Sequence, residues 1–93
     1  DTGWSVAGLV QSTDPSFDIR RIQVMAEVIG QSQHPELTGE FLIKDLPWDV
    51  ERCTIRVYEQ GQLLASGEAS RPDRERGMRE AWVEILVPEK SKP

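Results

Sequence analysis

Cysteine and histidine, the side chains that carry much covalent and metal chemistry, occur once each in this 93-residue chain. A lone Cys53 can close no intrachain disulfide and form no CxxC zinc knuckle. A lone His34 excludes multi-histidine metal sites and most histidine-based acid–base catalysis. No run approaches the roughly 18–20 consecutive apolar residues of a membrane-spanning helix. Positive charge is also short: 11 Lys and Arg stand against 16 Asp and Glu, a net charge of −5. With no basic block to neutralise phosphates, nucleic acid is not an expected partner. No cofactor or metal is expected. No nucleophile–base pair can be assembled, so the chain is not expected to be an enzyme. It opens Asp1-Thr2-Gly3-Trp4 without Met or a charged-then-apolar leader, as would the mature body of a processed precursor.

What is present has a period of two. Ile22, Val24, Ala26 and Val28 alternate with Arg21, Gln23, Met25 and Glu27. Cys53, Ile55 and Val57 alternate with Arg52, Thr54 and Arg56, and Ala81, Val83, Ile85 and Val87 with Glu80, Trp82, Glu84 and Leu86. Successive strand residues point to opposite faces, so each stretch lays one face on a core. Weaker strand patterns cover residues 4–11, 37–44 and 63–69. The separators 12–16, 30–35, 45–49 and 70–77 carry Pro, Gly, Asp or Ser turn chemistry. Gln60-Gly61 reads as a tight hairpin turn. Residues 14–21 have room for one short helical turn. The expected fold is all-β, a small antiparallel β-sandwich of six or seven short strands, because one-sided alternation is typical of antiparallel sheets. One domain spans residues 1–88 and a flexible tail 89–93.

Few residues qualify as sites. His34 lies in a loop and reads as solvated, since zinc would need further ligands that the neighbourhood does not supply. Cys53 shares a strand face with Ile55 and Val57 and reads as a small buried hydrophobe rather than a reactive thiol. Asp14 with Asp18, and Asp45 with Asp49, could hold calcium if their loops met, but lack a calcium-loop spacing; backbone hydrogen bonding in turns explains them more simply. Arg71, Arg74, Arg76 and Arg79 interleave with Asp73, Glu75 and Glu80 as a self-compensating loop. The three tryptophans are more informative. Trp4, Trp48 and Trp82, with Leu46 beside Trp48, are the candidate partner-binding residues, because Trp is a favoured interface anchor. The competing reading is that each Trp closes an open end of the core.

The segments Phe41-Leu42-Ile43-Lys44-Asp45-Leu46-Pro47-Trp48-Asp49 and Thr54-Ile55-Arg56-Val57-Tyr58-Glu59-Gln60-Gly61-Gln62-Leu63-Leu64-Ala65-Ser66-Gly67-Glu68 set a Leu-Pro-aromatic-Asp turn between strands, then a short Gly turn and a Leu-Leu strand. In that order they resemble the pilotin-type outer-membrane lipoproteins of type III secretion systems, mainly over residues 41–68. The resemblance implies a non-enzymatic envelope lipoprotein at the periplasmic face of the outer membrane. Its lipid would sit on an N-terminal cysteine absent from this chain. Its partner would be the C-terminal segment of a secretin subunit, docked on a strand edge or in an apolar groove, and the domain itself would be a soluble monomer. Thr38-Gly39-Glu40-Phe41 with Leu46-Pro47 also resembles transthyretin-like or carboxypeptidase-regulatory-like accessory modules. A carbohydrate-binding module using the tryptophans is a further alternative.

Overall fold

Alternating side-chain polarity folds here as strands. A computed structural model describes residues 3–89, which contain β1 (Trp4–Ser12), β2 (Ile22–Ala26), β3 (Gln31–Gln33), β4 (Glu40–Leu46), β5 (Arg52–Glu59), β6 (Gln62–Ser70) and β7 (Glu80–Val87). The strands form two sheets, one in the order β4-β1-β7 and one in the order β3-β2-β5-β6. Their inner faces share a single buried cluster that includes Val6, Val24, Phe41, Ile55 and Ile85. No polar or charged residue is buried among the described residues. The fold is therefore the expected all-β sandwich. The faces assigned from 22–26, 53–57 and 81–87 all point inward as read.

Four local expectations are corrected. The β1–β7 pair is parallel, in register from Ser5↔Glu80 to Ser12↔Val87, whereas every other ladder is antiparallel. Alternation reports which face is buried and carries no information about strand direction. β3 lies where a break was expected. Gln31, Ser32 and Gln33 have no apolar pattern, and the strand exists through its hairpin pairing with β2. Val28 is 47% exposed, because β2 ends at Ala26 and a turn closed by the Gly30 N–H on the Ala26 carbonyl follows. Leu37 is 76% exposed, because residues 36–39 form a turn and β4 begins at Glu40.

The turn chemistry holds elsewhere. Gln60 and Gly61 both have positive φ, 49° and 81°, the combination a type I′ hairpin turn requires. A single 3-10 turn, Ile19–Arg21, occupies the stretch read as able to hold one. Of the tail expected at 89–93, all but Glu89 lies outside the described residues.

Trp4 and Leu46 correct the partner-binding set. Both are fully buried and pair with each other across β1 and β4. Trp4 continues the inward row of Val6, Gly8 and Val10 on β1, while an extra residue on β4 opposite the Trp4–Val6 step, at Asp45 with its φ of 65°, shifts the phase of that strand so that Leu46 also faces inward. The Trp4 indole N–H finds its acceptor inside, donating to the Pro47 carbonyl at 3.1 Å. Neither residue can meet a partner without opening the core.

Two placements of small residues shape the sandwich. Ala65, Gly67 and Ala69 of β6 stand opposite Val57, Ile55 and Cys53. Gly67 lies against Val83 and Ile85, which lets β6 close on β7. On β1, Gly8 faces Phe41 and Val83 in register, and a Cβ there would collide with the Phe41 ring and the Val83 carbonyl. Gly8→Ala should therefore destabilise the domain by about 1–3 kcal/mol through overpacking. Each kcal/mol should appear as roughly 4–8 °C in Tm. Adding Phe41→Leu should recover part of that loss in a thermal-melt double-mutant cycle, and strict additivity would refute the contact.

Candidate functional site

The core-facing rows leave a second set of side chains on the outer face of the three-stranded sheet. Ala7 is the register partner of both Leu42 on β4 and Trp82 on β7, so the three lie side by side across the sheet. One row along, Leu9 stands between Glu40 and Glu84. Leu86 of β7 lies further along the same face. Leu42, Trp82 and Leu86 are 39%, 55% and 64% exposed. With Leu37 close to Leu86 in a neighbouring hollow, four of the seven large exposed hydrophobic residues among the described residues gather on this side. Such a gathering is what interaction surfaces look like, whereas singly scattered apolar residues need no explanation.

The row is also concave. Ala7 and Gly8 are short and form a floor between taller neighbours, giving an open trough of about 460 Å3. Trp82 walls one side. Its indole N–H donates to Glu84 Oε2 at 3.0 Å, which holds the ring's orientation. Leu42 and the β3–β4 loop with His34 wall the other. Glu36, Glu40 and Glu80 stand on the lining, which contains no lysine or arginine.

The neighbouring edge of β4 is partly occupied. The Glu36 N–H donates to the Glu40 carbonyl at 2.8 Å, and Gln33 Nε2 donates to the Leu42 carbonyl at 2.7 Å. An extended partner adding to this edge would have to displace both bonds, so the face is the more open of the two docking modes.

The remaining candidates are dispersed. Trp48 is half-buried against the core, with the Arg74 guanidinium 5.0 Å from its ring centroid and Arg71 donating to its carbonyl. Its indole nitrogen is buried with no acceptor, the sole such side-chain atom among the described residues. Arg76 pairs with Asp73 at 3.4 Å. The arginine loop is thus engaged with its own carboxylates and the Trp48 turn. His34 is exposed as read, and its Nδ1–H donates to the Ile22 carbonyl at 2.9 Å. Asp14 and Asp18 accept from backbone N–H groups two residues on, and their loop lies at the opposite end of β1 from Asp45. No group of three or more metal-ligating side chains gathers among the described residues. Of the four partner-binding candidates only Trp82 offers a free face. Ala7, Leu9 and Leu42 were not singled out, although uninterrupted apolar runs at 6–10 and 41–43 are a signal that both faces of a strand are apolar.

Three groups have shifted acidities, Asp18, its partner Arg20, which the pairing holds more firmly protonated, and Cys53. The Arg20 side chain donates to both Asp18 oxygens, at 3.0 and 3.1 Å, and this pairing holds the carboxyl below its ordinary range. Burial pushes the Cys53 thiol upward, with the Glu27 carboxylate adding to the shift.

No protein-family model, curated protein or solved structure matches the chain. No helix among the described residues is long and apolar enough to cross a membrane.

A bulky thiol reagent at mildly alkaline pH should label Cys53 only as fast as the fold opens, and denaturant should accelerate the reaction. Fast labelling of the native protein would contradict its burial. For Asp18 the folded state favours the charged form. Its contribution is therefore present above the unfolded-state pKa and lost as pH falls through the lower folded-state value. Because the pair is exposed, the acid limb of stability should barely depend on it. Arg20→Ala should move the Asp18 midpoint upward in an NMR titration while Tm changes little.

Proposed function

We propose that this chain is a non-enzymatic binding module that holds a segment of another protein. In the pilotin-like reading, that segment is the C-terminal part of a type III secretion secretin, and the role is to assist its localisation and assembly at the outer membrane. The observation that carries the binding role is the exposed Trp82 standing beside a concave sheet face with an apolar floor and a polar rim. Trp is enriched among residues that dominate interface energetics, and its effect is largest where neighbouring contacts exclude water. Leu42, Ala7 and Leu9 supply that surround. The secretin and the envelope location come from the resemblance of residues 41–68 and stand or fall with it.

Sugar binding is the weaker reading. A stacking platform usually presents accessible indole faces, and here Trp4 is buried while Trp48 lies under Arg74. Only Trp82 is left to stack. The transthyretin-like accessory reading predicts no particular surface, and no observation favours it.

A fluorescently labelled peptide of the secretin C-terminal segment should bind saturably in an anisotropy titration. Its Kd should be on the order of micromolar, as suits a contact smaller than the roughly 1,200–2,000 Å2 of stable interfaces. An anisotropy that never saturates would remove the secretin as partner.

A further inference from the structure

We infer that the trough on the β4-β1-β7 sheet selects a cationic segment: apolar residues interleaved with lysine or arginine, laid over Ala7 and Leu42 with one cationic side chain against the face of Trp82. This rests on the partner-holding role above and names the chemistry of the partner.

Charge complementarity makes the selection. Glu36, Glu40 and Glu80 line the trough, Glu84 stands beside the indole, and neither lysine nor arginine lines it. Lys44, two residues beyond Leu42, lines the seam between β3 and β4 instead. The three lining carboxylates form no metal-ligating group among the described residues, and Glu40, whose Oε1 accepts from the Thr38 hydroxyl at 3.1 Å, keeps further acceptor capacity at the rim. A docked anionic side chain would meet carboxylates at the rim, whereas a lysine or arginine would gain a partly desolvated ion pair. The overall charge of −5 adds a longer-range attraction for the same class of partner.

Trp82 points to the same class. Its N–H is already committed to Glu84, so the ring face is what it has left to offer. A cation over an indole face is attracted by the ring quadrupole, the more so as it is desolvated, and the Glu84 carboxylate at the ring edge adds to the attraction. The stems of lysine and arginine are apolar enough to lie along Ala7 and Leu42 while their heads reach the rim. The other occupants fit less well. A second copy of this chain would bring one acidic rim against another. An anionic lipid surface would be repelled by the same carboxylates. Strand addition at β4 meets the Gln33 and Glu36 bonds already made there.

Three labelled peptides of about 12 residues test this by anisotropy: one alternating Leu and Lys, one Leu and Glu, one Ser and Lys. Each is titrated against the chain, Trp82→Ala and the double variant Glu40→Gln/Glu80→Gln. The Leu/Lys peptide should bind, with the other two at least about tenfold weaker. Trp82→Ala should weaken Leu/Lys binding by about tenfold. The double variant should weaken it and flatten its salt dependence. Both variants change exposed side chains, so far-UV circular dichroism and Tm should match the parent. On the unsubstituted protein, NMR shift changes should centre on Ala7, Leu42 and Trp82. Equal binding of the Leu/Glu peptide, indifference to Trp82→Ala, or shift changes elsewhere would overturn the inference. If the secretin segment binds but ignores Trp82→Ala, this inference fails and the partner-holding role survives. If the secretin segment does not bind while the Leu/Lys peptide does, the secretin assignment fails and the inference stands.

Discussion

β1 is the strand on which both faces of the three-stranded sheet depend. Among the described residues it is the one strand that forms backbone ladders with both β4 and β7, so it joins the two edges of the sheet. Two adjacent residues on it do opposite jobs. Gly8 points inward and has no side chain, which leaves the Phe41 ring room to lie across the backbone. Ala7 points outward and is short, which makes the floor between Leu42 and Trp82. A larger residue at either position would change what the sheet offers. At position 8 it would displace the core; at position 7 it would fill the trough. Core packing and surface shape are therefore coupled through one dipeptide, and the coupling is steric, since neither residue carries a polar side chain.

The interior was largely legible because burial leaves a period-two mark on the sequence. Ile22, Val24, Cys53, Ile55, Val83 and Ile85 are where alternation puts them. What escaped lies beyond that mark. The direction of β7 could not be read, since Ala81 to Val87 would alternate identically beside an antiparallel neighbour. β3 escaped because three polar residues at a sheet edge owe their conformation to a hairpin partner and none to burial. The site was half legible. Trp82 stood out as an apolar residue on the polar side of its strand, but its neighbours became a site only when the register set Ala7 between it and Leu42. Trp4 and Leu46 misled for the converse reason. Leu46 sits among turn residues in the chain, yet the ladder irregularity at Asp45 turns it into the core, and Trp4, near the start of the given sequence, continues the inward row of Val6, Gly8 and Val10.

An apolar surface on a small domain carries a hazard, because contiguous exposed hydrophobic area favours association of copies and any free strand edge can template pairing. At the trough and at the β3 and β4 edges beside it, polar groups stand close to the surface. β4 has two of its carbonyls bonded by Gln33 and Glu36. β3 is short and polar. The carboxylates around the trough keep one acidic rim from settling on another. The charge that would oppose a second acidic rim is the charge that would favour the proposed cationic partner, so both effects would draw on one arrangement of carboxylates.

The same arrangement bears on why recognition is proposed for the face and not for the β4 edge. Edge pairing is chiefly a main-chain interaction and discriminates poorly between sequences, whereas a face reads side chains. A domain whose edges accepted strands freely would bind many extended segments, including its own. Side-chain and turn donors at β4 make the generic mode harder at the edge beside the trough and leave the face open there. Selectivity then depends on the height difference between Trp82 and Ala7 and on the sign of the surrounding charge. Both are set by residues that alternate outward from strands whose inward neighbours, Val6, Gly8, Val83 and Ile85, hold the fold together.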